Sequence, residues 1–227
     1  MEKFLLAVLT LPGMFAGEAD RLAALLEAGV DRLHLRKPAA EPAELEGLLR
    51  RLAPRWSERL VLHGGRELAL RYGIRNVHGS VDYRDGRGRS GGGPFLGRPA
   101  GADSGELLAG GPLGVGDDPD GLTFSTSVHN WEEFGWLPEG LAYSFISPLF
   151  DSISKTGYRA NKGLLNRPAG GPAGRCLPVG LGGVNAETLE EMVRFGWKGA
   201  AVLGWIWEEP RLAVGRFEQL KKIADES

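Results

Sequence analysis

Two periodicities alternate along this chain. Continuous apolar runs predict strands covered on both faces, and stretches with leucines three and four residues apart predict helices packed on them. The first run, Phe4–Leu11 (FLLAVLTL), predicts a buried strand. Glu18–Ala28 places Leu22, Leu25 and Leu26 at helical spacing, and Gly29 ends that helix. A strand over Arg32–Arg36 follows, then a helix from about Pro42, with Glu41 and Glu44 in its first turn, to about Leu52. Next come a strand over Arg59–His63, a helix over Arg66–Tyr72 stopped by Gly73, and a short strand, Asn76–His78. After an interruption the alternation resumes at Leu122. Strands are expected over Leu122–Ser127, Ala142–Ser147, Leu177–Leu181 and Ala200–Leu203. Helices are expected around Trp131–Phe134, over Ala186–Phe195 with Asn185 as cap, and over Arg211–Ala224. Eight strands, most with a following helix, predict an α/β fold, a single-domain (β/α)8 TIM barrel. A doubly wound open sheet is the alternative; the lack of a nucleotide fingerprint after the first strand disfavours it.

The interruption, Gly79–Gly121, contains 14 glycines in 43 residues, with GRGRSGGGP at its centre. It cannot bury enough surface to offset its chain entropy as a separate domain, so it is expected to be a loop-rich insertion with at most one short helix. Its GxGxxG-like spacings lack a surrounding strand–turn–helix unit and make a weak nucleotide signal. The chain of 227 residues carries a net charge of −2, which excludes a strongly electrostatic nucleic-acid binder. Its one cysteine, Cys176, excludes an intrachain disulfide. No apolar run approaches the roughly 18 residues of a membrane span. Near the N-terminus a single lysine sits beside a glutamate and the apolar run is short, so a first strand is expected rather than a signal peptide, in a cytoplasmic protein.

All four histidines fall at or near strand ends: His34 in LHLRKP, His63 in LVLHGG, His78 in NVHGS and His129 in TSVHN. In a parallel barrel those ends meet at one mouth, where such enzymes place their sites. A lone histidine there is more simply a structural one; four in the same positional class point to a polar pocket. No His-x-His or His-x3-His spacing marks a zinc site, and no metal is expected on that ground. His34 and Arg36 share the face that would line the lumen, with Leu33 and Leu35 toward the helices. The planar fork of Arg36 suits a phosphate or carboxylate. The loop SPLFDSISKTGY (Ser147–Tyr158) sets Ser152, Ser154 and Lys155 beyond a strand, fit for a phosphorylated ligand or only for solvent. Gly182 and Gly183 follow the seventh strand and Gly204 the eighth, where barrel enzymes cradle phosphate; tight turns alone would also account for them. Trp205 and Trp207 offer apolar surface, for a homodimer contact or for packing under the last helix.

The segments LHLRKP, LALRYGIRNVH, STSVHN, FISPLFDSISK, VGLGGV and GAAVLG, in this order, resemble the thiamine-phosphate synthase/TenI family over most of the chain outside the insertion. Ser152-x-Ser154-Lys155 is the most specific match, with serine for both threonines of a Thr-x-Thr-Lys motif. The resemblance implies a barrel that binds a thiazole phosphate at its mouth. The family holds two chemistries. The synthase joins a pyrimidine diphosphate to the thiazole phosphate and releases pyrophosphate with help from Mg2+. The TenI-type tautomerase moves a proton to aromatise the thiazole and requires no cofactor. Here the synthase's Asn-Asp-Arg falls on His63, Gly64 and Gly65, which removes an oxygen ligand for Mg2+. Asp82 is a loose match for the other carboxylate. The Gln-x-Arg-x-Lys motif reads His34-x-Arg36-x-Pro38, so the basic group shifts to Lys37 or is lost. The resemblance therefore favours a TenI-like tautomerase. It implies His129 as acid/base and Ser127 and Lys155 as substrate-positioning groups, with Lys155 also counted as catalytic. Gly182, Gly183 and Gly204 would hold phosphate. The synthase, with Mg2+, and a non-catalytic phosphate-binding relative stand as alternatives.

Overall fold

The computed structural model describes residues 3–80, 83–84, 90–91, 118–151, 162–168 and 176–227. Eight parallel strands close a barrel in chain order: β1 Leu5–Leu9, β2 Arg32–Leu35, β3 Leu60–His63, β4 Asn76–His78, β7 Thr123–Val128, β8 Leu141–Ile146, β9 Leu177–Leu181 and β10 Gly199–Val202. β10 returns to β1 in the register Ala7↔Ala201 and Val8↔Val202. Between β4 and β7 the chain forms a two-residue antiparallel pair, β5 Tyr83–Arg84 with β6 Ser90–Gly91, where the sequence led us to expect at most a short helix. Around the barrel lie α1 Glu18–Ala28, α2 Pro42–Trp56, α3 Arg66–Arg71, α4 Trp131–Trp136, α5 Ala186–Arg194, α6 Gly204–Trp207 and α7 Ala213–Asp225.

The helices form for the reasons their sequences give. Asn185 caps α5 by accepting from the Thr188 N–H at 2.9 Å, while the Thr188 hydroxyl receives the Asn185 N–H at 2.8 Å. Gly29, at φ 106°, ends α1 through backbone bonds to Leu25 and Leu26. α2 runs four residues past the expected end and carries Pro54 in its last turn. The stripe Leu45, Leu48, Leu49, Leu52 and Ala53 stays buried along it, and each leucine removed from water contributes roughly 1.5–3 kcal/mol. That exceeds the single hydrogen bond a proline forfeits near a helix end. Arg55 extends the helix further by reaching Glu27 on α1 at 2.8 Å and lying 4.7 Å over the Trp56 ring.

The core has two compartments. The larger lies between strands and helices and contains Leu33, Leu35, Leu62 and Val77. The smaller fills the lumen with Ala7, Leu9, Tyr143, Phe145, Val179, Leu181 and Ala201. These residues come from β8, β9, β10 and β1. On the opposite wall, β2, β3, β4 and β7 turn His34, His63, His78, Ser125 and Ser127 inward. One half of the lumen is thus apolar and the other polar. Trp207 is buried and donates its indole N–H to the Leu9 carbonyl at 2.6 Å, while Trp205 stacks under Arg216 of α7 at 5.3 Å. Both tryptophans thus pack beneath the last helix, one of the two roles open to them. Among the described residues no helix is long and apolar enough to cross a membrane.

Candidate active site

Strand alternation delivers the polar wall. On β2, Leu33 and Leu35 enter the outer core, so His34 points into the lumen, as the sequence led us to expect. His63 and His78 are register partners on β3 and β4, and His78 and Ser125 on β4 and β7. The shear of the barrel brings His34, one pleat lower on its own strand, to the same place: the ring centroids of His34 lie 5.1 Å from His63 and 5.3 Å from His78. Relative exposures are 0 %, 7 % and 4 % for His34, His63 and His78. Phe145 packs against two of the rings, at 4.8 Å from His34 and 5.0 Å from His78.

Buried imidazoles must be hydrogen-bonded, and these are. His34 Nδ1 lies 2.9 Å from His63 Nε2, and His34 Nε2 lies 2.7 Å from the Tyr143 hydroxyl. His78 Nδ1 lies 2.9 Å from Ser125 Oγ, and its Nε2 lies 3.0 Å from Ser127 Oγ. Ser125 is the register partner of Tyr143 across β7 and β8, and its hydroxyl lies 3.5 Å from the Val77 carbonyl. One proton arrangement runs through these bonds with every group neutral. Ser127 donates to His78 and His78 to Ser125, while Tyr143 donates to His34 and His34 to His63. Charge is resisted throughout. Burial holds His34 and His63 well below the ordinary imidazole range and His78 down to about 3, with the Arg36 guanidinium repelling a proton on the last two. Burial likewise raises the Tyr143 hydroxyl, which stays protonated.

Arg36 continues the lumen face beyond β2. Its backbone is clamped to the end of β1, with its N–H donating to Thr10 Oγ1 at 3.0 Å and its carbonyl accepting from that hydroxyl at 3.1 Å. Lys37 turns the other way. Its ammonium is buried against the Glu18 carboxylate at the start of α1 and donates to the carbonyls of Leu11 at 3.0 Å and Gly13 at 2.8 Å. Of the two outcomes left open for the basic group of strand 2, the structure shows its loss from the pocket: Lys37 locks the β1–α1 loop.

His129 lies apart from the other three histidines, one residue past β7. Its ring Nδ1 is 3.1 Å from the Ser147 carbonyl, which only accepts, so Nδ1 carries the proton and Nε2 is the basic nitrogen of the neutral ring. Its backbone N–H donates to Glu133 Oε2 at 2.8 Å, and the other Glu133 oxygen accepts from the Asn130 side chain at 2.9 Å. Two anchors thus fix the imidazole between the ends of β7 and β8. Ser127 is on the lumen face and bonded to His78.

The glycines after β9 are needed for close approach. Gly182 and Gly183 hold φ of 102° and 65°. A Cβ on Gly183 would stand 2.6 Å from both the Asp151 carbonyl oxygen and Phe150 Cβ, and one on Gly182 would stand 3.0 Å from Pro148. The loop after β8 lies directly against them, with Leu149 N–H on the Leu181 carbonyl at 3.0 Å and Phe150 N–H on the Gly182 carbonyl at 3.1 Å. Gly204 opens the single turn of α6 at the end of β10. Ser152, Ser154 and Lys155 lie outside the described residues, as does Asp82.

With His78, one of the four strand-end histidines read as a polar pocket, Tyr143 and Ser125 complete the polar wall; these last two were not among the expected site residues. Their signal was present as alternation: Tyr143 and Phe145 share a face in LAYSFI, as do Ser125 and Ser127 in TFSTSV. The three imidazoles offer nitrogen atoms all within 4.8 Å of one another, a donor set for a borderline-soft cation. It does not fit Mg2+, which requires oxygen ligands in octahedral array. His63, Gly64 and Gly65 provide none at the position where the synthase motif has Asn-Asp-Arg.

These features define a parallel-barrel protein with a buried polar wall at the C-terminal ends of its strands, and solved structures share its fold. No protein-family model and no curated sequence matches the chain. In structure it is similar to a thiamine phosphate pyrophosphorylase from Bacteroides thetaiotaomicron, with 26 % identity, a TM-score of 0.62, and 97 % of this chain and 98 % of that chain covered. A thiamine phosphate pyrophosphorylase from Pyrococcus furiosus shares the fold at 20 % identity and a TM-score of 0.62, covering 98 % of this chain and 96 % of that one. Tryptophan synthase subunit alpha from Legionella pneumophila shares it at 12 % identity and a TM-score of 0.58, covering 100 % of this chain and 94 % of that one. The resemblance to the thiamine-phosphate synthase/TenI family read from the motifs therefore holds at the level of the whole chain.

Proposed function

We propose that this protein is an enzyme of thiamine biosynthesis that binds a thiazole phosphate at the barrel mouth and catalyses a metal-independent proton transfer, as a TenI-like thiazole tautomerase. The observation that carries the reading is the Nδ1–H bond of His129 to the Ser147 carbonyl. It presents a fixed, basic Nε2 between the ends of β7 and β8. Nε2 takes a proton from one carbon of the substrate, and the imidazolium returns it at another; no net proton is gained or lost as the ring becomes aromatic. Arg36 suits the substrate's anionic group, and Gly182, Gly183 and Gly204 its phosphate, with Ser152, Ser154 and Lys155 expected on the facing loop. His34, His63 and Ser127 form the floor. The replacement of the oxygen-bearing synthase motif by His63, Gly64 and Gly65 supports proton transfer over diphosphate departure.

The synthase reading is favoured by one finding, the 26 % identity to a protein described as thiamine phosphate pyrophosphorylase. Incubation of purified protein with the thiazole phosphate tautomer, or with pyrimidine diphosphate plus thiazole phosphate, with and without EDTA, separates the two. Tautomer turnover that survives EDTA is the expected result; pyrophosphate release dependent on Mg2+ would replace it with the synthase, and ligand binding without turnover with a non-catalytic relative. His129→Ala should lower the tautomer rate about 10^2–10^4-fold while sparing phosphate-ligand binding. An unchanged rate removes His129 from its role.

A further inference from the structure

We infer that His34, His63 and His78 form a three-imidazole site for a borderline-soft divalent cation of the Zn2+ class, set in the lumen below the mouth. This inference is independent of the proposed reaction. Three neighbouring parallel strands, β2, β3 and β4, each contribute one ligand, and the donor atoms lie within 4.8 Å of one another. Tetrahedral coordination at about 2.0–2.1 Å puts ligand nitrogens about 3.3 Å apart. The His34–His63 pair, at 2.9 Å, opens by a few tenths of an ångström to reach that. His78 swings inward, giving up its Ser127 bond.

For His34 and His78 the surroundings supply what ligating histidines need, an acceptor for the second ring N–H. With the metal on His34 Nδ1, His34 Nε2–H donates to the Tyr143 oxygen, at 2.7 Å. With the metal on His78 Nε2, His78 Nδ1–H donates to Ser125 Oγ, at 2.9 Å. The Tyr143 hydroxyl turns to Ser125, and the Ser125 hydroxyl is 3.5 Å from the Val77 carbonyl. The outer ring N–H groups of His34 and His78 retain acceptors, and the imidazoles ligate without first losing a charge. No carboxylate is in this donor set, and the Arg36 guanidinium acts on both His63 and His78. A dication there is stabilised by an anionic fourth ligand between it and Arg36. Metal and a small anion such as inorganic phosphate should therefore bind cooperatively.

The test uses Co2+ as a spectroscopic stand-in and Zn2+ as competitor, on the full chain stripped with chelator. One equivalent of Co2+ should give the intense visible bands of four-coordinate cobalt with nitrogen ligands and no thiolate charge-transfer band from Cys176. Zn2+ should displace it, millimolar Mg2+ should not, and inorganic phosphate should tighten it. His34→Ala and His78→Ala should each abolish saturable uptake. Tyr143→Phe, which removes the outer acceptor and leaves the ligands, should weaken it about 10–100-fold. If the histidine variants fail to fold, the wild-type spectrum and Tyr143→Phe still decide. Absence of one-to-one uptake by the wild type, a pale six-coordinate spectrum, or an unchanged affinity in Tyr143→Phe overturns the site and leaves a neutral hydrogen-bonded cluster.

Discussion

Lys37→Met tests how the β1–α1 loop is held. In the wild type the Lys37 ammonium is buried with the Glu18 carboxylate and also serves the Leu11 and Gly13 carbonyls. Removing one member of a buried pair leaves the other charge uncompensated and costs about 3–5 kcal/mol. Glu18→Leu combined with Lys37→Met removes both charges. What remains is the loss of donors to two carbonyls, about 1–3 kcal/mol. The double variant should therefore be more stable than Lys37→Met alone. The pH dependence has a definite sign. Burial already pushes the Glu18 carboxyl up, and the Lys37 interactions that oppose this vanish in the single variant. The folded state then holds a proton that the unfolded chain releases near pH 4.5. Stability of Lys37→Met should accordingly recover as pH falls from 7 toward 5. Urea denaturation of wild type, both single variants and the double variant at pH 7 and 5 measures this cycle. A double variant whose cost equals the sum of the singles, or a Lys37→Met whose midpoint drops on acidification, refutes the reasoning.

Gly183→Ala should cost about 2–4 kcal/mol, from a left-handed backbone and a Cβ crowded at 2.6 Å, whereas Gly196→Ala, at φ 80° with open space, should cost only the backbone part of about 1–2 kcal/mol. Thermal melts that rank the two equally would refute the crowding. With EDTA present, the buried imidazoles should make the protein acid-labile. Their folded values lie below the ordinary 6.5, so below that pH the unfolded chain binds protons that the folded one refuses, and stability falls by about 1.4 kcal/mol per pH unit for each histidine. Urea midpoints that stay flat from pH 7 to 5 would contradict this. Arg66→Ala should loosen the segment around Asp118 and Asp120, which it bonds, without moving the barrel; unchanged amide exchange there would count against it.

The barrel was legible because its signals are local. Alternation set the inward face of His34 and Arg36, Asn185 announced α5, and the density of glycine marked where the repeating pattern stops. That the histidines converge on one polar pocket was legible from their strand-end positions; the close ligand-like grouping of three of them was not, because no single element carries it. Ligand spacings seek neighbours within one strand or helix, whereas His34, His63 and His78 are joined by barrel closure and shear, properties of eight strands together. The Glu18–Lys37 pair is hidden for a similar reason. The two stand nineteen positions apart in sequence, and only the packing of α1 over the strand ends unites them. At α2, a local rule was outweighed: Pro54 signals a stop, but the leucine stripe and Arg55–Glu27 carry the helix to Trp56.

The glycine-rich stretch leaves and re-enters the barrel between two strands that pair directly, β4 and β7. Its base is stitched shut. The Gly79 N–H bonds the Ser125 carbonyl at 3.1 Å, the Thr123 N–H bonds the Arg75 carbonyl at 2.7 Å, and Arg66 grips Asp118 and Asp120. With the exit and entry points already fixed beside each other, the length of whatever hangs between them adds only about 0.6 kcal/mol of closure entropy per doubling. The gap between β4 and β7 is thus a natural port for splicing in a foreign domain, a place where the scaffold can accept cargo while its staves stay in register.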